Sequence, residues 1–216
     1  MYDCLTLEMD DSGIIEWHVD ASFAVHSDMR SHTGATLFMG KGAIESVSSK
    51  QKMNARSSTD AEIVAADDIA SRAMWTKLFL EEQGHKINRN IVYQDNKSSI
   101  LLMKNGRSSA GKRTRHMKIK YFYATDAHNQ GDLEMQCCST NDMTADYMTK
   151  ALQGTKCKLM RCKIMNVAAN KNEAENKLTM APATVFWRKT EKLRFIQFFQ
   201  NGTGITTRFS RSKNMQ

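Results

Sequence analysis

The longest periodic pattern in this sequence runs from Ser57 to Gln83 and predicts one long helix. Hydroxyl residues from Ser57 to Thr59 form an N-cap cluster, and Glu62 stands three residues after Thr59, which is a capping-box spacing. Gly84 suits the position just past the helix end. Apolar side chains at spacings of three and four define a stripe that we expect in the core: Ile63, Ala66, Ala70, Met74 and Leu78.

Strand-like runs precede and follow this helix and predict a mixed sheet. Runs at 14–19, 34–39 and 43–48 are separated by turn residues and predict three consecutive antiparallel strands, with a hairpin turn at 40–42. Two further runs are separated by helical segments. These later strands are 90–94 and 133–137, and the helices are 96–104, 114–127 and 143–152. The order predicts an α/β (α+β) domain with a five-stranded mixed sheet and flanking helices.

Composition and cysteine usage exclude several classes of protein. Apolar residues make up 41% and charged residues 25%, which is ordinary for a globular chain, and no apolar run is long enough to span a membrane. The first ten residues lack a signal-peptide pattern, so we expect a protein that is not secreted. Five cysteines without C-x-x-C spacing favour incidental reduced thiols over a zinc site, and therefore a cytoplasmic or nuclear setting.

Positive charge is concentrated near the end of the chain. The net charge is +8, and residues 166–216 hold nine basic and three acidic residues. Such a stretch favours polyanions such as nucleic acid, and it is also what a solvated tail can look like. We therefore expect a lead-in at 1–13, a domain at 14–152, a C-terminal segment at 153–165 and a basic, poorly ordered tail at 166–216.

Four acidic residues fall at the ends of predicted elements. Asp20 ends the first strand and Asp95 the fourth, while Glu62 and Asp146 lie in the first turns of two helices. Adjacent strands would bring Asp20 and Asp95 together, and the two helix starts would add the other two. Four converging carboxylates without basic partners require divalent cations, and oxygen ligands suit Mg²⁺. On spacing alone, ordinary surface carboxylates remain the alternative.

Several short stretches, in the same order, resemble the ribonuclease H domain of Ty1/copia-type retrotransposon polyproteins. The resemblance covers roughly residues 5–165, and the block at 55–62 is its most specific part. The stretches are VDAS at 19–22, RSHTG at 30–34, KQK at 50–52, ARSSTDAE at 55–62, YQDNKSSI at 93–100, RTRH at 113–116 and ADYMTK at 145–150.

The resemblance implies a ribonuclease H-like fold that hydrolyses the RNA strand of RNA–DNA hybrids. It implies that Asp20, Glu62 and Asp95 are the first three catalytic metal ligands and that Asp146 is the fourth. The implied cofactor is Mg²⁺, two ions, with Mn²⁺ possible as a substitute. Asp60 stands where the family usually has glutamate, and we expect it to lie outside the metal site.

Hybrid binding requires contacts to phosphates and to the RNA 2′-hydroxyl. Lys50, Lys52 and Arg56 precede the glutamate-bearing helix and form one candidate patch, and Asn96 is placed to bond a sugar or the backbone. A second candidate patch contains Lys112, Arg113 and Arg115, followed by His116, for which packing or a phosphate contact is favoured over catalysis. Solvated basic loops are the alternative for both patches.

The resemblance also implies a partner, the polymerase part of the same polyprotein, which this chain lacks. In an intact element the domain would work inside a virus-like particle. Two alternatives to an active enzyme remain: an inactive, truncated remnant that keeps the fold, and a nucleic-acid-binding module that uses the basic tail.

Overall fold

The computed structural model describes residues 4–105 and 118–167, and its main layer is a five-stranded sheet in the order β5-β3-β2-β6-β7. The first three expected strands pair as consecutive antiparallel neighbours, β2 with β3 and β3 with β5. β6 and β7 then add in parallel beside β2. The strands are β1 (Glu8–Met9), β2 (Ile14–Ser22), β3 (His32–Phe38), β4 (Gly40–Lys41), β5 (Glu45–Lys50), β6 (Arg89–Gln94) and β7 (Glu134–Cys137).

The mixed five-stranded sheet expected from the sequence is thereby confirmed, with one local difference. Residues 40–42 were expected to form only a hairpin turn, but Gly40 and Lys41 pair as β4 with β1 in a separate two-stranded sheet. Gly40 has φ +122°, and a Cβ there would lie 2.2 Å from the carbonyl oxygen of Glu8. Only glycine permits this close pairing.

Helices cover the sheet and differ from expectation mainly at the end of the domain. They are α1 (Ser58–Glu82), α2 (Lys97–Asn105), α3 (Lys118–Asn129), α4 (Asp146–Thr149) and α5 (Gly154–Met165). The expected closing helix at 143–152 is only the single turn of α4, because Lys150 adopts an extended conformation and Ala145 provides no side-chain cap. The helix that does close the described part of the chain is α5, which the sequence pattern did not predict.

The core lies between the sheet and α1. Ile15, Trp17 and Val19 alternate along β2 on the face that α1 covers, and all three are fully buried. The expected stripe on α1 is correct at Ile63, Ala66 and Ala70 but wrong at its C-terminal end. Leu78 is 55% exposed, and Ala73 and Leu80 are buried instead. A strict three-and-four spacing drifts around a long helix, so the stripe leaves the covered face.

The opposite face of the sheet receives α4 and α5. Met160 and Ile164 of α5 are buried, and Ile164 packs with Phe38 at the end of β3 and with Ala43. The backbone N–H of Ala43 also donates to the carbonyl of Ile164 at 2.8 Å. This face carries every second residue of β2, including Asp20. Within the described residues, no helix has the length and apolar content needed to cross a membrane.

Candidate active site

Three carboxylates from three different elements meet at one end of the sheet. Asp20 lies on β2, Glu62 in the second turn of α1, and Asp95 directly after β6. One carboxylate oxygen of each lies within 4.8 Å of the others. Asp20 and Glu62 are buried and Asp95 is half-buried. We call these three residues the acidic triad.

Strand pairing and helix capping together position the triad. β2 and β6 are parallel neighbours, so their carboxyl ends place Asp20 and Asp95 side by side. The expected capping box does not form through Glu62. Ser57 caps α1 by accepting from the N–H of Asp60, whose own carboxylate accepts from the backbone N–H of Arg56 at 2.9 Å. Glu62 is thereby left free of capping and faces the other acids.

Glu62 is held by a glutamine that sequence reasoning did not single out. Gln94, fully buried at the end of β6, donates to the backbone carbonyl of Glu62 at 2.9 Å and reaches its Oε2 at 3.5 Å. Ser99 donates to Gln94 Oε1 at 2.9 Å and fixes the amide. Burial, and then the nearby charges of Asp20 and Asp95, raise the pKa of Glu62 to about 8. In the absence of a cation, the triad therefore favours a protonated Glu62 near neutral pH.

Asp20 receives donors from the last residue of α4 and from the residue after it. The hydroxyl of Thr149 donates to Asp20 Oδ2, and the ammonium of Lys150 lies 3.3 Å from both Asp20 oxygens. Burial still dominates, and the pKa of Asp20 is raised despite these two partners. Thr149 and Lys150 are the last two residues of the ADYMTK stretch. The sequence did not predict their contact with Asp20, because Thr149 is 129 residues away from Asp20 along the chain.

Asp146 lies beside the triad but is already neutralised. Its side chain is 1% exposed, Lys150 contacts Oδ1 at 2.6 Å, and Lys156 contacts Oδ2 at 2.5 Å. The expectation that the four acids have no basic partners is therefore wrong on this side of the site. The i,i+4 spacing of Asp146 and Lys150 was the one sequence signal for this ion pair.

The backbone around α4 is docked rigidly on β3. A Cβ at Gly34 would lie 2.5 Å from Thr149 Cγ2 and 2.8 Å from Met148 Cβ, so only glycine lets α4 approach this closely. Ser22 donates to the carbonyl of Thr149 at 3.0 Å. Ser48 donates to the carbonyl of Met148 at 2.9 Å. The position of Lys150 is consequently set by tertiary contacts.

The donor set of the triad fits a hard divalent cation. Mg²⁺ binds oxygen at about 2.0–2.1 Å, so two oxygens on one ion lie up to about 4.2 Å apart. The triad oxygens lie within 4.8 Å of one another, close enough for small side-chain movements to bring one oxygen of each residue onto a single ion. A dication would also remove the repulsion that now raises the pKa of Glu62.

The structure describes some of the residues proposed to bind nucleic acid and leaves others outside the described ranges. Lys52 and Arg56 are exposed, and Lys50 is 42% exposed and paired with Asp28 at 2.5 Å. The side-chain oxygen of Asn96 accepts from the N–H groups of residues 98 and 99 and so caps α2, which leaves its amide nitrogen as the donor available to a sugar or phosphate. The second patch, Lys112, Arg113, Arg115 and His116, lies outside the described residues, as does the tail beyond 167.

Comparison of the sequence with known proteins finds relatives among retrotransposon polyproteins. No protein-family model matches the chain. It is 35% identical over 160 residues to the retrovirus-related Pol polyprotein from transposon TNT 1-94 of Nicotiana tabacum, which covers 74% of this chain and 12% of the polyprotein. The Pol polyprotein from transposon RE1 of Arabidopsis thaliana is 32% identical over 129 residues, covering 59% of this chain and 9% of the polyprotein. The chain thus spans a small part of the length of these relatives.

Solved structures with a similar fold include LC11-RNase H1, isolated from compost by a metagenomic approach. That match has a TM-score of 0.46 and 15% identity and covers 63% of this chain and 92% of the other. LC11-RNase H1 in complex with an RNA/DNA hybrid gives 0.44 and 14%, covering 62% and 92%. The five-stranded mixed sheet with flanking helices is the fold class expected from the sequence.

Proposed function

This chain is a ribonuclease H-like domain of the type carried by Ty1/copia-type retrotransposon Pol polyproteins, and from that premise we propose that it hydrolyses the RNA strand of RNA–DNA hybrids. The observation that carries the proposal is the acidic triad. Three acids from β2, α1 and β6 converge within 4.8 Å, two of them buried. Buried like charges are costly to assemble without a cation, so a divalent metal site accounts for them better than a structural role.

Asp20, Glu62 and Asp95 would hold Mg²⁺, with Mn²⁺ as a substitute. When bound, such an ion activates a water and stabilises the leaving oxygen of a phosphodiester. The chain's own residues prepare the site. Gln94 holds the backbone carbonyl of Glu62 and lies 3.5 Å from its carboxylate, and Thr149 orients Asp20. A second ion, as the resemblance implies, would need Asp146 as a ligand, and both oxygens of Asp146 are bonded to lysines.

Substrate contacts come from residues around the triad. Lys52 and Arg56 lie in the segment before α1 and are exposed, so they can neutralise phosphates of a hybrid laid across the triad. Lys50 can join them if it exchanges Asp28 for a phosphate. The amide nitrogen of Asn96, next to Asp95, is the proposed donor to sugar or backbone oxygens.

The decisive experiment is a cleavage assay with the full chain. A hybrid with labelled RNA is incubated with Mg²⁺ or with EDTA, alongside duplex DNA as substrate and Asp95→Asn as the matched variant. We expect RNA cleavage that requires the ion and that Asp95→Asn lacks. Absence of cleavage by a folded wild-type chain would favour the remnant alternative, and equal cleavage by Asp95→Asn would refute the role of the triad.

Affinity is expected to limit the isolated chain. Residues 1–165 carry 22 basic and 20 acidic residues, which is little charge for binding a polyanion. A polymerase module on the same polyprotein would raise the local concentration of the hybrid, up to about the mM range for a short tether. We therefore propose that cleavage falls steeply with added salt and recovers when a polymerase module is supplied. We also propose that the domain works in the cytoplasm or nucleus of the host, and inside a virus-like particle in an intact element. Salt-insensitive cleavage by the lone chain would contradict this.

A further inference from the structure

The lysine that follows α4 joins two of the four acids. The Lys150 ammonium lies 2.6 Å from Asp146 Oδ1 and 3.3 Å from each Asp20 oxygen, between two carboxylates that are 1% exposed as residues. A second divalent ion in this site would have to bridge the same two carboxylates, because the triad already uses Glu62 and Asp95.

We propose that Lys150 takes the place of the second cation, so that the site binds one divalent ion, on Asp20, Glu62 and Asp95. This rests on the proposed function, in which the triad is a metal site. It differs from the two-ion site implied by the family resemblance. Asp146 then serves as a positioning residue for Lys150 rather than as a metal ligand.

The charges of the described residues support one ion. Four carboxylates face one another, and two ammonium groups, those of Lys150 and Lys156, contact them. One dication on the triad brings this set to neutrality. Two dications would leave two excess positive charges in a site where Asp20 and Asp146 are buried, unless both lysines moved away.

The backbone that carries Lys150 is fixed by several contacts. The N–H of Lys150 donates to the carbonyl of Asp146 at 2.9 Å and ends α4. α4 is in turn held by the close contact at Gly34 and by donors from Ser22 and Ser48. The docked backbone keeps the Lys150 side chain within reach of Asp20 and Asp146, whereas a second hydrated ion would have to lose water to bind there.

Counting bound ions tests the proposal without relying on activity. Binding of Mn²⁺ to the full wild-type chain is measured by electron paramagnetic resonance of the free ion and by calorimetry. We expect one site in wild type, one in Lys150→Arg, which keeps the positive charge, and two in Lys150→Met. Lys163→Met is the matched control, since Lys163 pairs with the exposed Asp142 instead, and its count should stay at one.

Asp146→Asn provides an independent variant in case Lys150→Met does not fold. If Lys150 is the second cation, Asp146→Asn still binds one ion, as wild type does. Two ions in wild type, falling to one in Asp146→Asn, would overturn the proposal, and so would a single site in a folded Lys150→Met.

Failure of the inference and failure of the proposed function give different results. Cleavage of the hybrid by a wild-type chain that binds two ions would overturn the inference and leave the function intact. The expected ion counts without any hybrid cleavage would overturn the function and leave the role of Lys150 intact. A wild-type chain that binds no ion would overturn both.

Discussion

The acidic site has two ends, the triad and Asp146, and the buried carboxylates at these ends differ in their basic partners. At the triad end, burial and then the charges of Asp20 and Asp95 raise the pKa of Glu62 to about 8, and burial above all raises the pKa of Asp20. At the other end, Asp146 is equally buried but has an ammonium group on each carboxylate oxygen. Burial therefore does not by itself identify a metal ligand. What distinguishes the two ends is how many of the protein's own cations reach them and how closely: Lys150 lies 3.3 Å from the Asp20 oxygens, whereas Lys150 and Lys156 lie within 2.6 Å of the Asp146 oxygens.

The difference shows two ways in which a protein can accommodate a buried carboxylate. A buried carboxylate must be neutralised by a proton, an internal lysine or an external ion. Glu62 has neutral donors, the amide of Gln94 at 3.5 Å and the backbone N–H of Ala21, so its charge is left for a proton or an ion to neutralise. Asp146 needs neither, because α4 and α5 bring Lys150 and Lys156 to it.

The largest expected effect is the loss of cleavage at the triad end. Glu62→Gln or Asp20→Asn should lower hybrid cleavage at least about 1000-fold, because the lost charge removes several kcal/mol of transition-state stabilisation by the ion. Asp146→Asn should cost much less, since it removes no ligand. Single-turnover cleavage and Mn²⁺ binding measure both. Equal losses in Asp146→Asn and Glu62→Gln would erase the contrast.

The second effect concerns the docking of α4. Gly34→Val places a side chain against Thr149 and Met148, where even a Cβ would lie 2.5 Å away, so we expect a loss of about 2–3 kcal/mol in the free energy of unfolding. The displaced α4 should also weaken the Lys150 contact with Asp20. Urea unfolding measures the first effect. Unchanged stability would mean that α4 is not pressed on β3.

The third effect is the stability that Lys150 provides when no ion is bound. Lys150→Met leaves Asp20 and half of Asp146 without a cation, and we expect a loss of about 1–2 kcal/mol, kept modest because the lysine is 42% exposed. Added Mg²⁺ should restore the variant more than wild type. Urea unfolding in EDTA and in Mg²⁺ measures this, with Lys150→Arg as the control. No loss in EDTA would mean that Lys150 is not a structural cation.

The fourth effect is a pH dependence specific to the triad end. The pKa of Glu62 is raised from 4.5 to about 8, so the native metal-free chain binds more protons than the unfolded chain in that range. The free energy of unfolding due to Glu62 should therefore fall as pH rises from 4.5 to about 8. Glu62→Gln should remove this slope. Chemical unfolding in EDTA across that range is the measurement, and a slope unchanged in the variant would assign it to another group.

The smallest effect is expected from the tail. Truncation after Val167 should change the free energy of unfolding by less than about 0.5 kcal/mol. The composition changes near residue 166, and α5 is already closed by Asn166 at φ +50° and by the bond from Val167 N–H to the carbonyl of Cys162. Lys156 should keep its contact with Asp146. A large drop in melting temperature would show that the tail supports the Asp146 end.

Sequence reasoning worked best where local pattern and order along the chain carry the information. Hairpin spacing placed β2, β3 and β5, and the long helix was evident from its periodicity. It failed at the capping box and at the end of the domain. Ser57, a member of the expected cap cluster, does cap α1, but the box expected through Thr59 and Glu62 does not form, because the cap is decided by which hydroxyl reaches a free N–H. α4 is one turn long because Lys150 is extended.

By itself, the sequence determined that acids would stand at the ends of β2, α1 and β6, since those positions follow from alternation, periodicity and strand ends. It also determined their order and their family resemblance. The sequence also predicted that the four acids converge, and only the tertiary structure decided which of them already have basic partners. The contact of Lys150 with Asp20 spans 130 residues and depends on the docking of α4 at Gly34. Neutralisation of a buried charge depends on distance in space, and no local pattern in a sequence encodes that distance.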